Sequence, residues 1–438
     1  MHFYLLTLLT TKVEAAELFW DGMYRIRGQS FNSLSLSQTN PNAEGNSQSI
    51  NHRLFLQPNW RVNAKVSIHA QLDILPYTTW GGEPLLFTDP TSTSTDAFFS
   101  QSYATPDFIA SRAWAEVQTK YGIARMGRMP LHWGSGMVFN AGNEPLDEFG
   151  TTTDQVEFAF KLDKFFVTTA VKSARENFVN QDDDTWETAL GLLYATERNK
   201  IGLYGNYRLQ TVDEASFGLG TIDIAAETAT GPLDADIEMA FNFGQGDLEG
   251  GLDNVRLFSF GIAGRANISM DKLHLGVGAG FASGDSDNTD KEFGTFQFHP
   301  DYHIALLMFE EPMPTLAAAV PSETNLGRNY TAVRTGYAVS NAIFITPKIG
   351  YTIQPNLIGE LKLITAWAAA LPEDESNNGY GVEIDASLYW TPYPNFEIQG
   401  TGALFTPGDY YNEYVDADLG GGFDQLSYGL QLMSTVSF

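Results

Sequence analysis

The sequence predicts one all-β chain, a single transmembrane antiparallel β-barrel of about 18 strands with short turns on one rim and long loops on the other. Three observations carry that expectation. The final segment alternates in polarity like a membrane strand. Segments of roughly ten residues with the same alternation recur along the whole chain. Every second connection between them is tight, and most of the others are long and polar.

In the last strand, Tyr428, Leu430, Leu432, Ser434, Val436 and Phe438 share one parity, and Gly429, Gln431, Met433, Thr435 and Ser437 share the other. One face suits lipid and the other water, which is the period of a spanning strand. Ser434 is the polar exception on the apolar face. A terminal aromatic closing such a strand matches the signal read by bacterial barrel-assembly machinery, so Phe438 is the expected contact with that machinery.

Working from the N-terminus, strands are expected to begin near Phe19, Asn51, Lys65, Ile109, Gly122, Asp154, Phe165, Trp186, Ile201, Thr221, Asp234, Leu257, Leu273, Ala342, Asn356, Gly379, Phe396 and Leu426. Tight connections fall at residues 62–64, 120–121, 162–164, 197–199, 230–232, 269–271, 351–355 and 392–394. Long ones span 32–49, 76–107, 132–153, 284–340 and 407–424. This places both termini on the short-turn, periplasmic rim. Arg53, Gln57, Asn59 and Arg61 oppose Leu54, Leu56 and Trp60; Lys65, Ser67, His69, Gln71 and Asp73 oppose Val66, Ile68, Ala70, Leu72 and Ile74. A charge facing lipid at mid-depth costs roughly 2–4 kcal/mol for Arg or Lys, so the polar parity points inward. Trp20, Tyr24, Trp60, Tyr207, Trp367 and Trp390 sit on the outward parity near strand ends, as an interfacial girdle requires. The outward contacts are then expected to be outer-membrane lipid and lipopolysaccharide.

Composition agrees with this. The 438 residues could make two or three soluble domains, but no linker divides them. Cysteine is absent, and the 41 glycines with 13% aromatics suit a barrel with a wet interior. A net charge of -28 argues against a nucleic-acid partner. Acidic runs at residues 182–184, 285–290, 373–375 and 409–418 read as solvated loops, with bridging by Ca²⁺ as the sharper alternative. Residues 1–15 resemble a signal peptide of atypical form: Phe3 to Leu9 is a short apolar core, Lys12 follows it instead of preceding it, and Val13-Glu14-Ala15 offers a cleavage site. Residues 16–438 form the barrel.

Three segments resemble a known family. Met126-Gly-Arg-Met-Pro-Leu-His-Trp-Gly-Ser-Gly-Met137 is similar to the strand-to-loop segment of bacterial alginate-export porins. Gly278 to Asp285 resembles their strand ending in Ser-Gly-Asp before a long loop, and the closing strand to Phe438 is the third. The resemblance implies an 18-stranded barrel passing anionic polysaccharide or small solutes, with Arg128 on the lumen wall and the two loops shaping the pore. The sequence departs from that family in the inferred lumen, which is mixed instead of dominated by arginine. Arg25, Arg27, Arg53, Arg61, Lys65, Arg112 and Arg128 cluster in the first five strands. Asp223, Glu227, Asp236, Glu238, Glu360, Glu383, Asp385 and Glu397 come later. Neighbours in sequence are neighbours around a barrel, so a basic arc is expected to face an acidic one across the lumen.

Residues 296–311 are too apolar for a solvated loop and are expected to fold inward as a constriction, with Phe296, His299, Asp301, His303 and Phe309 at its centre. His299 and His303 have helical spacing for a metal, but Pro300 breaks that helix, so the expected role is structural and no metal or cofactor is assigned. Catalysis is not expected: His69 with Ser67 and Asp73, and His274, face inward, and no Gly-x-Ser-x-Gly elbow occurs. The expected function is passive diffusion of small polar or charged solutes through an outer-membrane channel. The alternatives are export of an anionic exopolysaccharide and a surface adhesion or scaffold barrel.

Overall fold

The computed structural model describes residues 16–34, 36, 47–79, 108–175, 185–212, 215–248, 252–287, 290–311, 338–371, 376–413 and 424–438. The signal-peptide segment, the acidic runs at 182–184 and 373–375, and most of the connections at 32–49 and 76–107 lie outside these residues.

The strands follow the sequence pattern closely. The first six are β1 (Glu17–Asn32), β2 (Ser47–Asn63), β3 (Val66–Thr79), β4 (Phe108–Gln118), β5 (Ile123–Pro130) and β6 (Thr152–Leu162). The next seven are β7 (Phe165–Arg175), β8 (Thr185–Ala195), β9 (Asn199–Val212), β10 (Ala215–Thr230), β11 (Leu233–Leu248), β12 (Leu252–Met270) and β13 (Leu273–Ala282). A two-residue strand, β14 (Glu292–Phe293), lies in a loop and pairs in parallel with β12. The rest are β15 (Ala342–Gln354), β16 (Leu357–Ala368), β17 (Gly379–Tyr393), β18 (Phe396–Pro407) and β19 (Ser427–Ser437). All but β14 join one antiparallel ladder in chain order, giving a closed barrel of 18 strands. The starts differ most at β2, β10 and β12, which begin several residues ahead of Asn51, Thr221 and Leu257, because polar and Gly-rich residues continue the ladder toward the loops.

Closure joins β1 to β19 from Met23↔Ser437 to Asn32↔Tyr428. The last residue continues it: the Gly22 and Phe438 amides each donate to the other's carbonyl, at 2.8 and 3.1 Å. A Cβ on Gly22 would lie 2.7 Å from the Phe438 ring, so a residue without a side chain is what lets the terminal aromatic seat there. Several tight turns put Asp163, Gly231, Asp271 or Asn395 at positive φ, the residue types that tolerate it.

The outward parity carries the exposed apolar side chains, among them Trp20, Trp60, Ile224, Ile345, Trp390, Leu430 and Leu432. The inward parity is polar and mostly buried, including Arg25, Arg53, Arg112, Glu238 and Glu383. Burial on the lumen side means that something fills the lumen. Among the described residues it is mainly two inward loops, 131–151, between β5 and β6, and 294–311, which follows β14, with Leu34, Leu36 and the short helix α1 (Tyr410–Glu413) in the same apolar cluster as the second.

Candidate functional site: two loops seated inside the lumen

The first loop is held from opposite sides of the barrel. Gly134 and Gly136 have φ of 55° and 83°, which turns successive amides toward one point. That point is the Glu238 carboxylate of β11. Glu238 accepts from Ser135 N–H at 2.5 Å, Ser135 Oγ–H at 2.8 Å, and Met137 and Val138 N–H at 3.3 Å. A Cβ on Gly134 would strike that carboxylate. Beside it, Trp133 lies over Gly202, where an added Cβ would meet the indole at 2.6 Å, and packs against Tyr204. The far end of the loop rests on arginines. Arg25 donates to the Pro145 carbonyl at 2.8 Å, and Arg53 donates to the carbonyls of Asp147 at 2.7 Å and Gly142 at 3.2 Å. Arg112 donates to the Ala141 carbonyl, to Asn143 Oδ1 and to Gln71 Oε1. Arg27 and Arg25 pair with Glu148.

The second loop repeats the device. Glu383 of β17 is fully buried and accepts from three successive amides, Leu306, Leu307 and Met308, at 2.7–3.0 Å. Phe296, Phe298, Leu307, Met308 and Phe309 are buried against the inner wall with Phe344, Tyr380, Phe405 and Tyr410. This accounts for the apolar run seen in the sequence. Phe309 adopts φ of 66° at the turn that ends it.

The loops also clasp each other. Asp301 accepts from the amides of Glu148, Phe149 and Gly150 at 2.7–3.1 Å. His299 N–H donates to the Met137 carbonyl at 2.6 Å, and its Nε2 lies 3.1 Å from Thr151 Oγ1. His303 Nδ1 is 2.6 Å from Glu310 Oε2, and its Nε2 is 3.7 Å from Asp147 Oδ1. His299 and His303 do not converge as a helical pair, because residues 299–304 are a turn and extended chain. Burial lowers the His299 pKa. Burial also opposes charge on His303, but Glu310, Asp147 and Asp301 outweigh it and raise that pKa to about 10. Burial pushes the Glu311 carboxyl up to about 8, with Glu310 and Glu148 adding to it and Arg27 opposing.

Two cavities remain beside the loops. One, of about 310 Å³, is lined by Arg27, Glu148, Glu310, Glu311, Lys362 and Asp385 among others. The second, of about 530 Å³, reaches toward the short-turn rim at Glu227, Asp234, Asp236 and Glu397. Leu146, His303 and Gln399 belong to both walls.

The sequence-selected residues fall into three groups. Arg25, Arg53, Arg112, Glu238 and Glu383 hold loops, while Phe296, His299, Asp301 and Phe309 lie within or under one. Asp223 is fully buried on the wall next to Glu238. Arg27, Glu227, Asp236, Glu360, Asp385, Glu397 and His303 line the cavities. Of these, Glu227, Asp236 and Glu360 are paired with Lys200, Arg265 and Lys348 at 2.7–3.1 Å. The remaining three sit apart. Arg61 pairs with Glu17 near the rim, Lys65 is exposed in the β2–β3 turn, and Arg128, expected on the lumen wall, instead shares the outward parity of β5 with exposed Met126, where a two-pronged contact with Asp154 at 2.6 and 2.8 Å offsets its charge. Sequence reasoning missed Trp133, Asp147 and Glu148. The available signal was Gly134-x-Gly136 followed by Gly142, a spacing that lets amides wrap a carboxylate.

No protein-family model matches the chain, and no curated protein does. Solved structures match along nearly its whole length. The outer membrane protein opdK of Pseudomonas aeruginosa is 12% identical with a TM-score of 0.54, covering 98% of this chain and 100% of its own. A BenF-like porin from Pseudomonas fluorescens Pf-5 is 10% identical with a TM-score of 0.55, covering 97% and 99%. The P. aeruginosa protein OccK9 (OpdG) is 11% identical at 0.52, covering 96% and 98%. The chain has the fold of an outer-membrane porin. The resemblance read in the sequence therefore holds at the level of porin barrels, and these structures give no support to the alginate-export family in particular.

Proposed function

We propose that this chain is an outer-membrane channel for passive diffusion of small polar and charged solutes, with the cavities beside the two loops as its path. The observation that carries this reading is the placement of Leu146, His303 and Gln399 in the walls of both cavities. They form the neck between two wet, charged spaces inside a barrel with an apolar exterior. A lumen crossed by two anchored loops suits small solutes better than a polysaccharide chain.

The opposed-wall expectation takes a specific form in this reading. Arg25, Arg53 and Arg112 are 0–5% exposed and donate to loop carbonyls. The basic arc thus serves mainly to seat the first loop. The side chains left facing the cavities are rich in carboxylate: Glu144, Asp147, Asp234, Glu311, Asp385 and Glu397, against Arg27, Lys362 and Arg265. Cationic and zwitterionic solutes are favoured by such a lining. Single-channel recording in planar bilayers tests this. The parent is expected to conduct with cation preference, strongest at low salt. Deleting 296–311 is expected to raise conductance. A barrel that inserts but conducts no ions, or one whose conductance the deletion leaves unchanged, refutes the path.

A further inference from the structure

The contact between the two loops contains an arrangement that their mutual anchoring does not explain. Ligand atoms of Asp147, Asp301 and His303 lie within 4.8 Å of one another. The His303 ring is fixed by Glu310 on Nδ1, at 2.6 Å, which aims Nε2 at Asp147 Oδ1. That Nε2 is buried and has no hydrogen-bond partner. A carboxylate holding one imidazole nitrogen while the other points at open donors is how proteins prepare a histidine for a metal. The carboxylates are prepared too. Glu144 N–H fixes Asp147 Oδ2 at 2.8 Å, leaving Oδ1 toward the ring. Three amides orient Asp301.

We propose that Asp147, Asp301 and His303 form a binding site for a first-row divalent transition cation of the Zn²⁺ type, with Glu310 as the positioning residue. One imidazole nitrogen with two carboxylates selects such ions over Mg²⁺ and Ca²⁺, which prefer all-oxygen sites. Three protein ligands leave a position for water, which the 530 Å³ cavity alongside can deliver. Metal–ligand distances of about 2.0–2.2 Å require the loops to draw together by about 1 Å. The ion would join residue 147 of one loop to 301 and 303 of the other, at the neck.

The test is equilibrium dialysis of Zn²⁺ against the full-length, tag-free protein folded in detergent, so that it does not depend on conduction. The parent is expected to bind about one Zn²⁺ per chain in the micromolar range, undisplaced by millimolar Mg²⁺. His303→Gln and Asp147→Asn are each expected to weaken binding about tenfold or more, and Glu310→Gln to weaken it less. Heat-modified gel mobility confirms that each variant is a closed barrel. Absence of stoichiometric binding, unchanged affinity in both ligand variants, or equal displacement by Mg²⁺ overturns the site. In bilayers, micromolar Zn²⁺ is expected to alter parent conductance and to leave His303→Gln unaffected. Zn²⁺ binding by a protein that never conducts would keep the site and refute the channel instead.

Discussion

Replacing Glu238 by Ala should release one end of the first loop while leaving the barrel intact. The carboxylate receives four donors, two of them at 2.5 and 2.8 Å and two at 3.3 Å. A hydrogen bond to a charged acceptor contributes about 1.5–3 kcal/mol. Counting the two short contacts fully and neglecting the two long ones gives about 3–6 kcal/mol for seating residues 134–138. At about 1.4 kcal/mol per decade, the seated-to-released ratio falls by about two to four orders of magnitude. The β10–β11 and β11–β12 ladders do not use this side chain, so heat-modified mobility should stay that of the folded barrel. Trp133, one residue before the released segment, reports the change. Its fluorescence contribution, obtained by difference from Trp133→Phe, should shift toward that of a solvated indole. Open-channel current noise should rise in parallel. Glu238→Gln keeps one acceptor oxygen and should lie between the parent and Ala. Parent-like Trp133 emission and noise in Glu238→Ala would refute the claim that this carboxylate holds the loop.

Two further outcomes follow from the same geometry. Glu311, with its pKa raised from 4.5 to about 8, is neutral at pH 7 and ionises above pH 8, so reversal potentials should shift toward cations as pH rises through 8, and Glu311→Gln should remove that step. The sign for stability is the reverse, since the folded state holds this proton more tightly and its contribution declines as pH rises from about 4.5 to about 8; melting curves of parent against Glu311→Gln across that window check it. Gly202→Val should place a Cβ about where the Trp133 ring now lies, costing roughly 1–3 kcal/mol and displacing the indole; near-UV circular dichroism should lose an aromatic signal, and Gly202→Val with Trp133→Ala should restore the melting temperature. A single Val variant indistinguishable from the parent would contradict the contact.

The barrel was legible in the sequence because its two solvents impose period two on every strand. Arg53 against Leu54 and Gln431 against Leu432 can be sorted without knowing any contact. The alternation of short and long connections supplied the rims. The interior was legible only in part. Most residues selected for the lumen point inward, with Arg128 the exception on the outward parity of β5 beside Met126; whether a lumen side chain meets water or backbone depends on where the loops go. Arg25 and Arg61 share a parity pattern and differ completely in environment, one buried under Pro145 and the other exposed beside Glu17. Glu238 and Glu383 read as wall charge because nothing local distinguishes a carboxylate facing solute from one wrapped by amides 100 or 75 residues away. The apolar run from Phe296 to Phe309 gave its own loop away. The loop at 131–151 scatters its apolar groups, such as Trp133, Met137 and Phe139, among glycines and polar residues, and its anchoring hydrogen bonds leave little trace in a polarity pattern.

The anchors of that first loop also have a mechanical meaning. Arg53 lies on β2 and Glu238 on β11, and nine steps around a ring of 18 is half the circumference. The segment between Ser135 and Asp147 is therefore a tie-rod across a diameter. A single-layer cylinder resists shear along its ladders but flattens easily into an oval. A tie fixed at both ends opposes widening of that diameter, and the packed second loop opposes its collapse. The cross-section at the neck is thereby set from within, and an outside force that flattens the cylinder meets both loops before it can change that opening.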